Sequence, residues 1–397
     1  MSLPNGATPR PDLNIPPSGS VCQLSIIDTT CNIVCTTSRT VEPNIPGHDW
    51  INFPTFSFYI KHEASGREVL FDLGMRKDWQ NAVPHIRETV SKNVDGLDIA
   101  KDVHDILTEG GVDLTHVEGF IMSHWHWDHC GNPAALPKSV KIIVGPGFKD
   151  AFMPGWPANP TSPFHEADFD GREVRELSFS DDFKIGRYQA HDYFEDGSLY
   201  ILNVPGHAIG HIGALVRTTP ETLVYLGGDV CHHSGVIRPT RYTPMPDFIP
   251  EETKFTNKLI SHPCPCSAFL SSHPEKENGR TVPFFRASTA PNSFFIDPAT
   301  AQDSIEALIE YDADPNVLVC LAHDPTELAT FDFFPHGTLN DWKKKGWKQA
   351  AHWGFLEELP YYGKIIQPLL VDGLYDGGRK LRDLEFSESW ILPPLQS

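Results

Sequence analysis

The feature that most constrains this chain is the run Ser123-His124-Trp125-His126-Trp127-Asp128-His129-Cys130-Gly131. Four metal-binding side chains fall within six positions, in the pattern H-x-H-x-D-H. The residues just before it, 117–122, read as a short and mostly apolar strand, which places the histidines where a buried strand ends. A polar loop with surface histidines is the alternative interpretation, and the density of the cluster argues against it.

The spacing within the run has a chemical reason. His124 and His126 are two positions apart, so in an extended chain they point to the same side and can hold one ion together. Asp128 and His129 are adjacent and diverge in a turn or at the start of a helix, where they can serve a second, neighbouring ion. Imidazole and carboxylate form the ligand set of zinc, for which iron, manganese, cobalt and nickel can substitute.

Further metal-type ligands follow other predicted strands. Three apolar segments each end in such residues: 199–204 before His207 and His211, 223–226 before Asp229 and His232, and 317–322 before His323. A helix over 298–311 precedes the last of them. Asp72 ends the second strand of a hairpin predicted over 56–62 and 68–72, and either caps the next segment or hydrogen-bonds a metal ligand.

Composition limits the partners. The formal charge of −20 on 397 residues argues against nucleic acid, since a surface that follows phosphates would be basic. We therefore expect a small neutral or aromatic carbonyl substrate, unless a local basic patch exists.

The eight cysteines are scattered without a secretory signal, which predicts free thiols and a cytoplasmic protein. Cys264-Pro-Cys266 could be a thiolate metal clip, but no second pair accompanies it. No apolar run approaches the ~20 residues of a membrane span.

The chain divides into four parts by composition. We predict a mobile tail, or an arm laid over the surface, for residues 1–20, which are rich in Pro, Gly and Ser. The main domain spans 21–325, with a first strand at 21–28, a helix over 99–111 and a strand at 140–145. Its aromatic loop 152–169 is either a surface excursion or one wall of an apolar pocket. An insertion covers 234–296, and a C-terminal extension packed on the same domain covers 326–397.

The order of these motifs resembles the metallo-β-lactamase-fold hydrolases. H-x-H-x-D-H, then P-G-H-x-x-G-H at 205–211, then G-D after a strand and A-H after a helix–strand unit occur in the expected order from 21 to about 325. The resemblance implies an α+β fold, a four-layer αβ/βα sandwich with the site at one edge.

The resemblance also implies roles for the residues. His124, His126 and His207 would hold one divalent ion, Asp128, His129 and His323 a second, and Asp229 would bridge them together with a hydroxide. The ions, zinc or else iron, manganese or cobalt, would activate that hydroxide to attack a carbonyl, and Asp128 would steer it or pass a proton to the leaving group. Asp72 matches the family's buried aspartate that supports the ligands, and His211 matches a structural histidine.

Within this superfamily the chain is most similar to the N-acyl-homoserine-lactonase branch. Members commonly carry a tyrosine three residues after the bridging aspartate, where this chain has His232. A histidine there can donate to an oxyanion or protonate a leaving nitrogen, which disfavours homoserine lactones and leaves another lactone, a lactam or a cyclic carbamate open. The alternative for His232 is a supporting or exposed residue.

The insertion and the extension are the second departure from that branch. The insertion has three possible roles: additional structure on the outside of the domain, an oligomer contact such as that of a homodimer, or a lid. In the last case Phe284, Phe285 and Phe294 would line the site. Such decoration suggests a eukaryotic detoxification or secondary-metabolism enzyme. The sequence leaves other roles open: a thioesterase of the glyoxalase II or polyketide type, a nucleolytic phosphodiesterase, a persulfide dioxygenase with one iron, or a non-catalytic metal-binding or sensor module.

Overall fold

Two β-sheets stack face to face because their strands place apolar side chains on the surfaces that meet. The computed structural model describes residues 7–385. The strands are β1 (Cys22–Thr36), β2 (Val41–Glu42), β3 (Trp50–His62), β4 (Glu68–Phe71), β5 (Gly96–Ile99), β6 (Val117–Ile121), β7 (Lys141–Val144), β8 (Val174–Glu176), β9 (Lys184–Ile185), β10 (Tyr188–Asp192), β11 (Leu199–Asn203), β12 (Ile212–Arg217), β13 (Leu223–Leu226), β14 (Phe248–Ile249), β15 (Cys264–Pro265), β16 (Arg286–Ala287), β17 (Val317–Cys320), β18 (Gly373–Asp376) and β19 (Arg379–Asp383). The α-helices are α1 (Pro84–Asn93), α2 (Val103–Glu109), α3 (Trp127–Cys130), α4 (Phe148–Phe152), α5 (Glu166–Phe169), α6 (Ser267–Leu270), α7 (Pro298–Asp312), α8 (Thr326–Thr330) and α9 (Trp347–His352).

The sheet topology brings several strand ends to one edge. One sheet has nine strands in the order β19-β18-β5-β1-β3-β4-β6-β7-β8, and the other has six in the order β17-β13-β12-β11-β10-β9. Strands β4, β6, β7 and β8 run parallel, as do β13 and β17. The C-terminal ends of parallel strands lie at the same edge of a sheet, so the loops that follow them are neighbours.

The core lies between the two sheets, with further clusters on their outer faces. The inner cluster joins side chains of β1 and β3, such as Ile26 and Phe58, to side chains of β11 and β12, such as Ile201 and Val216. The face of the nine-stranded sheet that points away is covered by α2 and α4, and that of the six-stranded sheet by α7 and the insertion. The predicted fold class, an α+β four-layer αβ/βα sandwich, is confirmed.

Most of the predicted elements are present, but several boundaries are wrong. The strand predicted at 21–28 continues to Thr36 as β1, and the hairpin strand predicted from 56 begins at Trp50 as β3. The hairpin is formed by β3 and β4, in which Phe58 pairs with Phe71. The helix predicted over 99–111 begins only at Val103, because Ile99 pairs with Cys31 as the end of β5. Helix α1 was not predicted from the sequence, since only two of its ten residues, Ile86 and Val90, are buried and its apolar periodicity is weak.

Both ends of the described chain are attached to the sandwich. Residues 7–20 form an arm over the surface, in which Leu13 is buried and its carbonyl accepts from the Gly186 amide at 2.6 Å. The first six residues of the predicted tail lie outside the described residues, as do 386–397 of the predicted extension. The rest of the extension runs beside β1, where the Leu339 amide donates to the Leu24 carbonyl at 2.7 Å. Its strand β18 pairs with β5.

Two observations concern the cysteines and the helices. All eight cysteines are buried as free thiols. Among residues 7–385, no helix has the length and apolar character needed to cross a membrane.

Candidate metal centre

The predicted ligands lie on loops that follow the ends of β6, β11, β13 and β17. Backbone hydrogen bonds between the two sheets fix these loops. The Ile212 amide donates to the Ser123 carbonyl at 2.8 Å, and the Phe56 amide donates to the Ala322 carbonyl at 3.0 Å. The site is therefore supported by both sheets, as a rigid catalytic centre requires.

The first cluster consists of His124, His126 and His207. His207 Nε2 lies 3.1 Å from His124 Nε2 and 3.0 Å from His126 Nδ1. A tetrahedral zinc with bonds of about 2.0–2.1 Å would separate its nitrogen ligands by about 3.4 Å, close to these values. Three ring nitrogens that converge this closely cannot all be satisfied by protons on one another, so the arrangement fits a cation between them.

The second cluster consists of Asp128, His129 and His323, whose ligand atoms lie within 4.8 Å of one another. Asp128 Oδ2 is 3.8 Å from His129 Nε2 and 3.5 Å from His323 Nε2. Within the described part of the chain, the buried His129 Nε2 has no hydrogen-bond partner. A buried polar atom without a partner is costly, and an ion at this position would remove that cost.

Asp229 faces both clusters with different oxygens. Its Oδ2 lies 3.6 Å from His124 Nε2 and 3.4 Å from His207 Nε2. Its Oδ1 lies 3.1 Å from both His129 Nε2 and His323 Nε2, and has no hydrogen-bond partner among residues 7–385. Asp229 therefore lies between the two clusters and offers one oxygen to each.

Asp72 supports the ligands through three hydrogen bonds. It accepts from the Ser123 amide and hydroxyl, both at 2.7 Å, and from His129 Nδ1 at 2.9 Å. The Ser123 hydroxyl in turn lies 3.0 Å from His124 Nδ1. Asp72 has φ of +59°, a conformation that a non-glycine residue adopts at some cost and that its hydrogen bonds maintain here. A proton on each Nδ1 leaves Nε2 of both histidines free toward the centre.

Hydrogen bonds to backbone carbonyls also fix the rings of His323 and His211. His323 Nδ1 is placed to donate to the Pro54 carbonyl at 3.1 Å. His211 does not enter either cluster: its Nδ1 donates to the Val204 carbonyl at 2.8 Å, and its Nε2 accepts from the Asp229 amide at 3.0 Å. His211 thus fixes the backbone of Asp229 instead of facing the ions.

The electrostatics of the two clusters differ. Burial lowers the pKa of His124 and His207 well below the usual imidazole value and that of His126 to about 3, so these rings are neutral and present lone pairs. Burial opposes a charge on His129 as well, but the nearby carboxylates, Asp229 foremost, hold its pKa well above the usual value. The second cluster therefore attracts positive charge, which a cation site requires.

His232 lies at the same centre, beside Asp229. Its Nε2 is 3.2 Å from Asp229 Oδ2, although neither of its ring nitrogens has a hydrogen-bond partner among the residues that the structure describes. The ring stacks on Phe53 with centroids 5.6 Å apart and meets Phe294 at 6.0 Å. The alternative of an exposed residue is excluded, because the residue is only 2% exposed.

A cavity of about 290 Å³ opens from the centre. Its floor includes Asp128, Asp229 and His232, and its walls are largely apolar. The residues that line the walls are Ile33, Cys35, Arg39, Phe53, His85, Ile86, Thr89, Asn93, Val94, Trp125, His126, Trp127 and Phe294.

Most of the residues that line these walls were not predicted from the sequence. Strand β1 and helix α1 contribute several of them, and the only available signal was the alternation of apolar residues at 31, 33 and 35 in β1. Of the three predicted lid aromatics, Phe294 lines the cavity. Phe284 and Phe285 pack instead in the cluster outside the six-stranded sheet, so their expected place at the site was wrong. Loop 152–169 contributes no lining residue to this cavity, because Phe152, Phe164 and Phe169 pack on the outer face of the nine-stranded sheet.

Comparison with known proteins shows which proteins are similar to this chain. No protein-family model matches the chain. It is 41% identical over 354 residues to γ-lactamase FDB1 of Fusarium pseudograminearum, an alignment that covers 87% of this chain and 84% of that protein. It is 35% identical over 365 residues to metallo-hydrolase mfmC of Annulohypoxylon moriforme, an alignment that covers 90% of this chain and 93% of that protein.

A solved structure shares the fold. It is a variant of AiiA from B. thuringiensis with N-decanoyl-L-homoserine bound at its active site. The superposition gives a TM-score of 0.52 at 16% identity, and covers 80% of this chain and 99% of that chain. At this identity the likeness concerns the fold alone.

Proposed function

The chain belongs to the metallo-β-lactamase-fold hydrolases, and from this premise we propose that it opens a small lactone, lactam or cyclic carbamate ring with two divalent metal ions. The observation that carries the proposal is Asp229, whose two oxygens each face a separate group of imidazoles. A single ion would leave one of these groups, buried and polar, without a partner.

The residues that would hold the ions follow from the two clusters. His124, His126 and His207 would bind one ion, Asp128, His129 and His323 the other, and Asp229 would bind both. Imidazole with carboxylate favours zinc, while iron, manganese or cobalt can occupy the same donor set. When bound, the ions would supply a shared water that is nucleophilic at neutral pH and would polarise the substrate carbonyl.

The protein's own groups complete the reaction. The water oxygen forms a bond to the carbonyl carbon, the ring C–O or C–N bond breaks, and its electron pair goes to the leaving atom. Asp128 lies at the cavity floor and would carry the proton from the water to that atom. His232 is free to donate a hydrogen bond to the developing oxyanion. The product is a hydroxy acid, an amino acid or, from a carbamate, a carbamic acid.

The cavity narrows the substrate class. At about 290 Å³ it is at the small end of ligand pockets, and its walls include Phe53, Trp125, Trp127 and Phe294. Flat aromatic walls favour a compact ring fused to an aromatic system over a long aliphatic chain. The relative named as a γ-lactamase supports the same bond class. We expect aryl-fused five-membered lactones, lactams and carbamates to be substrates.

The test combines turnover with metal analysis. Protein stripped with a chelator and reloaded with zinc should bind two ions per chain by elemental analysis and hydrolyse phthalide or benzoxazolinone. Asp229→Ala should lose at least one ion together with the activity. One ion in the fully active wild type would overturn the two-ion proposal. Faster hydrolysis of thioesters than of any ring would assign the site to thioester cleavage.

A further inference from the structure

The cavity has a polar side that the ring-opening reaction does not use. Its partly exposed polar residues are Arg39, His85, Thr89 and Asn93, and the last three come from helix α1. The metal-type ligands lie on the loops after β6 and β13, and the walls between are apolar. The cavity therefore carries two sets of polar groups, which come from different elements and share a largely apolar lining, and this suits a ligand with two separate polar groups on an apolar body.

Arg39 is the cation of this polar side. One of its terminal nitrogens, Nη1, donates to the Asn93 carbonyl at 2.9 Å, near the end of α1. Within residues 7–385, its Nε and Nη2 have no hydrogen-bond partner, and no carboxylate lies within 4.0 Å of the guanidinium. These two atoms form the edge of the guanidinium that binds a carboxylate with two parallel hydrogen bonds.

A second arginine, Arg76, shows the contrast. Arg76 lines an adjacent pocket, but its Nε and Nη2 are already paired with the two oxygens of Asp78, at 2.8 and 3.1 Å. Arg39 presents the same edge without such a partner. In a chain with a formal charge of −20, a guanidinium on a cavity wall without a hydrogen-bonded carboxylate is a local exception to the acidic surface, although the Asp95 carboxylate attracts it from beyond 4.0 Å.

We propose that Arg39 forms a carboxylate subsite, and that the preferred substrate is an aryl-fused ring that carries a carboxylate at the end remote from the scissile bond. The inference rests on the proposed function and specifies its substrate class. The carboxylate would bind the Nε–Nη2 edge while the apolar lining residues hold the aromatic body. The guanidinium would thus orient the ring carbonyl toward Asp128 and Asp229 without contacting the reacting atoms.

The test compares matched substrates on the zinc-loaded protein. Phthalide and a phthalide with a carboxylate on its benzene ring differ only in the group that Arg39 would bind. We expect kcat/KM for the carboxylated ring to fall about 10- to 100-fold in Arg39→Gln, mainly through KM, the range for losing a charge-assisted hydrogen bond. For phthalide the change should stay within about 2-fold. Arg39→Lys keeps the charge without the paired donors and should fall between the two.

Controls separate binding from structure. Arg379→Gln removes the same charge from an exposed side chain and should leave both substrates unaffected. Calorimetric titration of the metal-free protein with an aryl carboxylate should show the same loss of affinity in Arg39→Gln, without any turnover.

Each result has one interpretation. Equal losses for both rings in Arg39→Gln would overturn the subsite, because they would mean that Arg39 only supports the end of α1. Wild-type protein that hydrolyses phthalide and rejects the carboxylated ring would also overturn it, while the proposed function would stand. Hydrolysis of neither ring, nor of any other lactone, lactam or carbamate, would overturn the proposed function itself.

Discussion

Asp72→Asn tests how the ligands are held. In the wild type, one carboxylate fixes the tautomers of two ligands, His129 directly and His124 through the Ser123 hydroxyl. Asparagine presents an amide NH2 in place of one oxygen. At the Oδ1 position this NH2 would face the donating Ser123 amide, and at the Oδ2 position it cannot accept from His129 Nδ1. The ring then keeps an unpaired Nδ1–H, or moves its proton to Nε2, where an ion would bind.

The loss of the hydrogen bond between Asp72 and His129 sets the expected change in metal affinity and in stability. Losing a partner that orients a metal ligand typically costs 10- to 100-fold in metal affinity, which is about 1.4–2.8 kcal/mol. The metal-free fold should lose about 1.5–3 kcal/mol, since a buried hydrogen bond to a charged group disappears. The direct contact is to His129, so the ion of the second cluster should be lost first.

Two measurements and two control variants check this. Competition with a chromophoric chelator gives the affinity of each ion, and urea unfolding of the metal-free protein gives the stability. Ser123→Ala removes only the link to His124 and should weaken the first ion alone. Asp168→Asn changes a buried carboxylate that accepts from the His165 amide away from the ions, so only stability should fall. Ion affinities within 2-fold of wild type in Asp72→Asn would refute the reasoning.

Three further changes address the reaction and the fold. Asp128→Ala or His129→Ala should abolish turnover and lower the metal content at the second ion; full activity in either variant would contradict the ligand assignment. His232→Phe should lower kcat by about 10²- to 10³-fold at unchanged metal content, as for loss of an oxyanion donor, and an unchanged rate would leave His232 a supporting role. Arg238→Met should cost about 3–5 kcal/mol by urea unfolding, because it leaves the buried Asp312 carboxylate unpaired. Burial raises the pKa of Asp312, but Arg238 outweighs this and holds it well below its usual range, so the pair stabilises the fold above about pH 4. The difference in unfolding free energy between wild type and Arg238→Met should therefore shrink as the pH falls below about 4. A difference that stays constant down to about pH 3 would contradict this.

The candidate metal-type residues could be located from the sequence because they follow apolar segments, whereas the choice of His207 over His211 and of Asp229 as the bridge came from the resemblance to the metallo-β-lactamase-fold hydrolases. His124 and His126 share a side by strand periodicity, and each of the other ligands follows an apolar segment long enough to be a buried strand. Parallel strands then bring those ends to one edge, so the expectation that the residues meet needed no knowledge of loop conformation. The structure does bring them together, with Asp229 between the two groups.

The cavity walls could not be located in that way. Ile33 and Cys35 belong to a 15-residue strand whose pattern does not show which face will meet a ligand. Thr89 and Asn93 lie on a short helix with few buried residues, and Arg39 lies in a single 3₁₀ turn. Their convergence depends on pairings across distant parts of the chain, such as the Phe294 amide donating to the Arg39 carbonyl at 2.9 Å. Periodicity carries no information on such contacts.

The extension contacts the segment that carries His232, and this contact gives the extension a role at the site. The neighbouring His233 places Nε2 3.3 Å from Glu358 Oε2, and the other oxygen of that carboxylate accepts from the Asn52 side chain at 3.3 Å and from Gln367. All four residues are buried. Because a buried carboxylate needs all these partners, the extension is bound to β3 and to the segment after Asp229 at once. The backbone that carries His232 is therefore held by residues more than a hundred positions away, a dependence that its place after the bridging aspartate does not indicate.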